Sequence, residues 1–123
     1  MAASVVALVD DLFFLVKIRE TAKAVGVTVR TIDARGGPAE VAEGNPQAVI
    51  LDLNARGFSA VDWIRALKAN AVTAPIHIVA FVSHVQEGLI ADARAAGCDT
   101  VMARSAFSQK LPELLRSLVT ESE

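Results

Sequence analysis

Short apolar runs alternate along the chain with longer segments in which apolar residues recur at a helical period. The short runs are rich in valine, isoleucine and leucine, and they predict strands over residues 5–9, 27–32, 48–53, 76–82 and 100–103. The longer segments predict helices over residues 13–25, 38–43, 60–70 and 86–96, with a last helix that ends near Val119. Five β/α units joined by short connections indicate an α/β fold, a doubly wound parallel sheet with helices on both faces.

Individual residues mark the boundaries of these elements. Gly26, Gly44 and Gly97 stand where helix C-caps are expected, because glycine tolerates the left-handed conformation that often ends a helix. Ser59 is a favourable N-cap for the third helix. Pro112 marks either a kink or the first turn of the final helix, since proline has no N–H to donate.

The composition favours one domain with a well-buried core. The chain has 123 residues and a mean hydropathy of +0.43, which predicts a single domain over residues 1–123 with no output domain. The formal net charge is −2 and the basic residues are scattered rather than gathered into a stripe. This pattern argues against direct binding of nucleic acid.

The sequence also predicts where the protein resides. Cys98 is the only cysteine, so no intrachain disulfide can form, which fits a reducing compartment. The N-terminal segment lacks the basic start of a secretion signal, and no apolar stretch reaches the roughly 20 residues that a membrane span needs. We therefore expect a cytoplasmic protein that does not bind membranes.

Three carboxylates stand at the ends of predicted strands. Asp10 and Asp11 follow the first strand, and Asp52 ends the third, in the segment VILDLN. In open α/β sheets, ligands bind outside the carboxyl ends of strands, where the strand order reverses. Carboxylates gathered there would repel one another, and a hard divalent cation such as Mg²⁺ would relieve the repulsion. A carboxylate beside Mg²⁺ can also act as a nucleophile towards phosphorus.

Each carboxylate also has a purely structural interpretation. Asp10 and Asp11 could start a turn and favour the N-terminus of the next helix. Asp52 could cap a loop, although an aspartate between buried segments is costly to leave unpaired. Because all three stand at strand ends, a shared pocket is the favoured interpretation.

The segments LVDD, ILDLN and AGCDTVMARS are together similar to the receiver domain of two-component response regulators, of the chemotaxis-regulator-like type. The resemblance covers nearly the whole chain and implies a flavodoxin-like sheet of order 2-1-3-4-5. It implies that Asp52 accepts a phosphoryl group from a sensor histidine kinase or a phosphotransfer protein. It further implies an acidic pocket of Asp10 and Asp11, with Mg²⁺ held by Asp11, Asp52 and the backbone carbonyl of Asn54.

The chain departs from the receiver pattern after the fifth strand. Receivers have a lysine followed by a proline there, and this chain has Arg104 and Ser105. Arginine keeps the charge but is longer and planar, so it does not replace a compact ammonium directly. Without the proline we expect a trans peptide and an Arg104 that does not reach into the pocket. Arg104 is interpreted either as a phosphate ligand or as a permanent counter-ion of the carboxylates.

The residues that relay the signal in receivers are also changed. Receivers have a hydroxyl residue at the end of the fourth strand, and that position falls on Ala80 when counted from Pro75 or on Val82 when counted back from Gly97. The aromatic residue of the fifth strand is replaced by Val101. The AFVSHV loop is about two residues longer than the receiver pattern, and Ser83 in it is the candidate for a replacement hydroxyl.

Two functions from different classes remain open at this stage. The first is a stand-alone receiver, phosphorylated on Asp52 with Mg²⁺, that signals to an unknown downstream protein; it is not an enzyme beyond phosphorylating or dephosphorylating itself. The second is a pseudo-receiver, a protein-interaction module that does not depend on phosphorylation. A haloacid-dehalogenase-type phosphatase is disfavoured, because Asn54 stands where that class needs a second aspartate.

The bulky residues of the sequence suggest contact surfaces. Leu12, Phe13 and Phe14 are expected to pack within the first helix, with a lid or a homodimer contact as the alternative. The resemblance implies a partner surface from the fourth strand to the fifth helix, with these residues: Val85, Ala91, Met102 and Phe107.

Overall fold

The computed structural model describes residues 3–83 and 86–121, so Val85 of the expected partner surface lies outside the described residues. The strands are β1 (Ala3–Leu8), β2 (Val27–Thr31), β3 (Ala48–Asp52), β4 (His77–Val82) and β5 (Thr100–Ala103). The helices are α1 (Leu12–Val25), α2 (Pro38–Ala42), α3 (Ala60–Ala69), α4 (Glu87–Ala95) and α5 (Arg104–Glu121). The predicted alternation of strands and helices is confirmed, with most boundaries shifted by one or two residues.

The strands form one parallel sheet in the order β2-β1-β3-β4-β5. β1 lies between β2 and β3, so the chain builds outwards first to one side of β1 and then to the other. The expected flavodoxin-like order is therefore confirmed. The reversal lies between β1 and β3, and their carboxyl ends form the crevice in which such sheets bind ligands.

Helices cover both faces of the sheet and form two apolar layers. The first layer contains α1 and α5 and is built around Phe14, Phe81 and Phe107. The second contains α2, α3 and α4 and is built around Trp63, Ile64 and Leu67. The Trp63 indole N–H donates to the carbonyl oxygen of Ala34 at 3.2 Å, so its polar atom is satisfied within this layer. Side chains alternate between the layers along each strand, as a sheet buried on both faces requires.

Local signals set the ends of the helices. Ser59 caps α3 by accepting from the backbone N–H of Asp62 at 3.2 Å, as predicted. Gly26 ends α1 in the left-handed conformation with φ of 81°, also as predicted. Gly97 lies one residue beyond the cap of α4, which is Ala96.

The final helix begins earlier than its proline suggests. α5 starts at Arg104, directly after β5, and Pro112 lies inside it rather than in its first turn. The first-turn interpretation of Pro112 is therefore wrong. Proline removes one helical hydrogen bond, but burial of the flanking Leu111 and Leu115 against the sheet holds the helix together across this point. Within the described residues, the structure has no helix with the length and apolar character to cross a membrane.

Candidate functional site

The carboxyl ends of β1 and β3 open into a charged cleft of about 450 Å³. Its lining consists of Asp10, Asp11, Asp52, Asn54, Arg56, Ser83 and Arg104. The structure thus brings every residue proposed for the site from the sequence to one place, and it adds Arg56. The parallel sheet explains the gathering, because strands that run the same way deliver the residues that follow them to the same edge.

Asp52 is the deepest acid in this cleft. It is the last residue of β3 and only 4% exposed, and its Oδ1 accepts the backbone N–H of Asn54 at 2.9 Å. Burial raises the pKa of Asp52; the hydrogen bond from Asn54 opposes this, while the charge of Asp10 adds to it. A buried carboxylate in this position favours any cation or proton that reduces its charge.

Asp11 has both carboxylate oxygens engaged. Its Oδ1 accepts the backbone N–H of Phe14 at 3.1 Å and so caps α1, which confirms the helix-capping interpretation of this residue. Its Oδ2 accepts from Nη2 of Arg104 at 2.7 Å. The Arg104 guanidinium, followed by the Phe14 N–H, lowers the pKa of Asp11 below its ordinary value.

Arg104 reaches into the cleft, so the expectation that it stays outside is wrong. Because α5 begins at Arg104 with no loop after β5, the side chain leaves the backbone beside α1 rather than from an extended loop. Its guanidinium carbon lies 4.1 Å from the centroid of the Phe14 ring, a cation–π contact that adds to the ion pair with Asp11. The described residues contain no cis peptide bond, so the expected trans peptide between Arg104 and Ser105 is confirmed.

An aromatic cluster lies directly beneath this ion pair. Phe14, Phe81 and Phe107 have ring centroids 4.8 to 5.9 Å apart and join α1, β4 and α5. Phe81 is also the β4 partner of Asp52 in the sheet register. Phe107 is fully buried, so its expected place on a partner surface is wrong.

Asp10 holds the loop that follows β3. Its Oδ2 accepts the backbone N–H of Arg56 at 2.8 Å and that of Gly57 at 3.2 Å. Two charge-assisted hydrogen bonds to one loop fix the backbone of that loop at the rim of the cleft. In this arrangement Asp10 acts as a loop anchor.

Asn54 joins two loops through its side chain, a role that the sequence interpretation did not include. Its Oδ1 accepts the backbone N–H of Ser83 at 2.7 Å, and its Nδ2 donates to Oε1 of Gln86. Ser83 therefore lies at the cleft with its backbone bonded to the loop that follows β3, and Ser83 is exposed.

The positions of the expected relay hold apolar contacts instead. Ala80 is fully buried in β4 and pairs with Val101 of β5 in the sheet register, and both belong to the second layer. Of the bulky residues that begin α1, only Phe14 packs as expected. Leu12 is 73% and Phe13 is 92% exposed, so the packing prediction is wrong for these two.

Arg56 and Phe14 are the contributors to the site that the sequence analysis missed. A charged residue four positions after Asp52 and directly before Gly57 was a usable signal for Arg56, because a turn there returns the chain to the strand end. No comparable signal existed for Phe14, since a phenylalanine in a helix is usually a core residue.

The donor chemistry of the cleft suits Mg²⁺, which prefers carboxylate and carbonyl oxygens. Asp11, Asp52 and the carbonyl of Asn54 are the residues that would hold it. As the side chains stand, Asp11 is committed to Arg104, and no group of three acidic, histidine or cysteine side chains among residues 3–83 and 86–121 is arranged to bind a metal ion. The ligand atoms are therefore of the type that Mg²⁺ prefers, but Arg104 competes with the ion for Asp11.

No protein-family model and no curated protein matches the sequence. Solved structures do match. The chemotaxis response regulator CheY4 of Vibrio cholerae is 17% identical, with a TM-score of 0.80 over 96% of this chain and 99% of that chain. A putative response regulator from Chloroflexus aurantiacus is 15% identical, with a TM-score of 0.79 over 98% and 99%.

A third match carries a metal ion. The receiver domain of the sensor histidine kinase PA1611 from Pseudomonas aeruginosa, solved with magnesium coordinated in its active-site cleft, is 14% identical, with a TM-score of 0.81 over 98% of this chain and 99% of that chain. Identities this low establish the fold alone. Along nearly its whole length, this chain has the fold of response regulator receiver domains.

Proposed function

We propose that this chain is a receiver in two-component signalling that accepts a phosphoryl group on Asp52 with Mg²⁺ as the cofactor. The observation that carries the proposal is the position of Asp52 as the last residue of β3, with its carboxylate in a cleft that also holds Asp11 and Arg104. A single buried nucleophile surrounded by both signs of charge is suited to phosphoryl transfer, in which positioning and charge stabilisation supply most of the catalysis.

The residues of the cleft have distinct parts in this transfer. An oxygen of the Asp52 carboxylate attacks the phosphorus of a phosphohistidine on the donor protein. The new P–O bond forms as the P–N bond breaks, and the imidazole leaves with the electron pair of that bond and takes up a proton. The Asn54 N–H holds one oxygen of Asp52 and so orients the attacking one. When bound, Mg²⁺ supplies positive charge to the phosphoryl oxygens.

A second candidate function rests on the ion pair between Arg104 and Asp11. At 2.7 Å this pair already neutralises one of the three carboxylates, so the cleft is partly charge-compensated by the protein itself. The corresponding function is a protein-interaction module that keeps the receiver fold and does not switch by phosphorylation.

One titration separates the two candidates. The purified protein is titrated with Mg²⁺ and then with Mg²⁺ and beryllofluoride, an aspartyl-phosphate mimic, while amide NMR shifts are followed. A receiver shows saturating shifts at Asp11, Asn54 and Ser83, and an Asp52→Asn variant does not. A spectrum that stays unchanged through both additions supports the interaction module.

A further inference from the structure

Two arginines line the cleft, and their side chains are in different situations. Arg104 is bonded to Asp11 and stacked on Phe14. Arg56 lines the same cleft, and its guanidinium makes no hydrogen bond or ion pair with any residue in the described parts of the chain. The cleft therefore offers one committed cation and one that is available to a ligand.

The backbone of Arg56 is held in place although its side chain is not. Its N–H and that of Gly57 both donate to Asp10, at 2.8 and 3.2 Å, and the carbonyl of Asp52 accepts the N–H of Ala55 at 3.2 Å. The loop thus turns back towards β3 immediately after Asp52. This anchoring keeps the root of the Arg56 side chain at the rim of the cleft and lowers the entropy lost when the guanidinium binds.

The chemistry of the two groups identifies the ligand. A phosphoryl group on Asp52 carries negative charge into a cleft where Asp10 and Asp11 are already negative. A guanidinium has planar paired N–H donors that match two phosphate oxygens at once. Arg104 already shares one N–H and part of its charge with Asp11, whereas the side chain of Arg56 has no bond to a described residue.

We propose that Arg56 is a phosphoryl-binding residue, which contacts the terminal oxygens of the phosphoryl group on Asp52 from the rim of the cleft. This inference rests on the proposed receiver function and deepens it. Arg104 is bonded to Asp11 before Mg²⁺ binds, whereas Arg56 is available to the anion from the start, so the two arginines have different parts in the cleft. Asp10 acts as a positioning residue for Arg56 through the loop backbone.

The test compares beryllofluoride binding in the presence of Mg²⁺ by calorimetry and ¹⁹F NMR. The variants are Arg56→Ala and Arg56→Lys, and the matched control is Arg65→Ala, since Arg65 is an exposed arginine whose side chain, among residues 3–83 and 86–121, bonds only to Asp62 on its own helix. We expect Arg56→Ala to weaken beryllofluoride binding by roughly ten- to a hundredfold, the range for loss of a hydrogen bond to a charged group. Arg56→Lys should lie between, and Arg65→Ala should match the parent protein.

Each result has a distinct meaning. If the parent protein and Arg56→Ala bind beryllofluoride equally, the role of Arg56 is overturned while the receiver function stands. If the parent protein does not bind beryllofluoride at all, the receiver function is overturned and the role of Arg56 is overturned with it. A further arm titrates Asp52→Asn with inorganic phosphate: binding that depends on Arg56 would show a free-anion site and overturn the assignment to the phosphoryl group on Asp52. Melting temperatures of all variants identify any change caused by misfolding.

Discussion

The two edges of the sheet carry the same kinds of charged side chain and use them differently. At the amino edge, where β4 and β5 begin, Lys68 donates to the carbonyl oxygens of Ala74 and Ile76 at 3.0 and 3.3 Å and to Asp99 at 3.1 Å. The same oxygen of Asp99 accepts the N–H of Ile78 at 2.8 Å. All three ammonium hydrogens of Lys68 therefore have partners, and this network closes on itself.

At the carboxyl edge, the charges are left incompletely matched. Arg104 is paired with Asp11, but Asp52 is buried with carboxylates nearby and the Arg56 guanidinium has no partner among the described residues. The pKa values differ in the same sense. Burial alone would raise the pKa of Asp99, but the Ile78 N–H and Lys68 bring it below its ordinary value, whereas the pKa of Asp52 is raised. Both edges are charged, but at the amino edge the donors of Lys68 are matched by acceptors, whereas at the carboxyl edge charged groups lack ion-pair partners among the described residues. That mismatch, and not the presence of charge, distinguishes the candidate site from a structural ion pair.

The largest effect should come from opening the closed network. Lys68→Ala leaves two carbonyl oxygens and Asp99 short of a donor, and we expect it to lower the free energy of unfolding by roughly 1–3 kcal/mol. Urea denaturation measures the loss, and Lys110→Ala, which removes an exposed lysine of α5, is the control. Equal stability of the two variants would contradict the structural role of the amino edge.

Removing the charge of Asp52 should stabilise the fold, in contrast to Lys68→Ala. The folded state raises the pKa of Asp52, so folding favours the protonated carboxyl. The stability that this adds is present below the ordinary pKa of 3.8, and it is lost as the pH rises through the pKa of the folded state. Asp52→Asn cannot ionise, and we expect its Tm at pH 7 to exceed that of the parent by a few degrees, at about 4 °C per kcal/mol. The difference should shrink as the pH falls towards 3.8. A lower Tm for the variant at pH 7 would show that the carboxylate is better compensated than its surroundings indicate.

Arg104→Met should change ligand binding more than stability. The ion pair is about one-third exposed on both sides, with side-chain exposures of 32% and 36%, so its loss should cost little stability. The freed Asp11 oxygen should bind Mg²⁺ more tightly, by severalfold in a calorimetric titration, because the competing cation is gone. Arg104→Lys keeps the charge and should bind Mg²⁺ like the parent protein. Weaker Mg²⁺ binding by the methionine variant would refute the competition.

The smallest effects are expected at the exposed apolar residues of each edge. Phe13 lies near the cleft and is 92% exposed, and Val72 precedes β4 and is 67% exposed. We expect Phe13→Ser and Val72→Ser each to change the free energy of unfolding by no more than about 0.5 kcal/mol. A larger loss in either variant, measured by the same denaturation, would mean that apolar packing contributes to the contrast between the edges.

The sequence predicted the strands and helices well because their signals are local. Buried parallel strands read as continuous apolar runs, and the order of elements then restricts the topology to very few forms. The gathering of Asp10, Asp11 and Asp52 also required β1 and β3 to be neighbours, and that order was implied by the resemblance to receivers. The direction of each side chain within the cleft did not follow from it.

The details that the sequence did not predict are the directions and contacts of individual side chains. Arg104 was expected to stay outside because the peptide that follows it was expected to be trans, but the direct passage from β5 into α5 sets the direction of its side chain. Asp10 bonds the loop and not the interior of the cleft, a choice set by backbone N–H groups that no sequence pattern identifies. Phe107 was assigned to a surface although the cluster with Phe14 and Phe81 buries it.

The placement of Trp63 has a spectroscopic consequence. The chain has one tryptophan and no tyrosine, so its intrinsic fluorescence comes from one indole, which is 7% exposed and bonded to Ala34 in the layer of α2, α3 and α4. The opposite layer, with its phenylalanine cluster, is nearly silent at the wavelengths that excite tryptophan. Emission therefore reports on only one face of the sheet, and loss of order confined to α1 and α5 would leave the emission maximum unchanged.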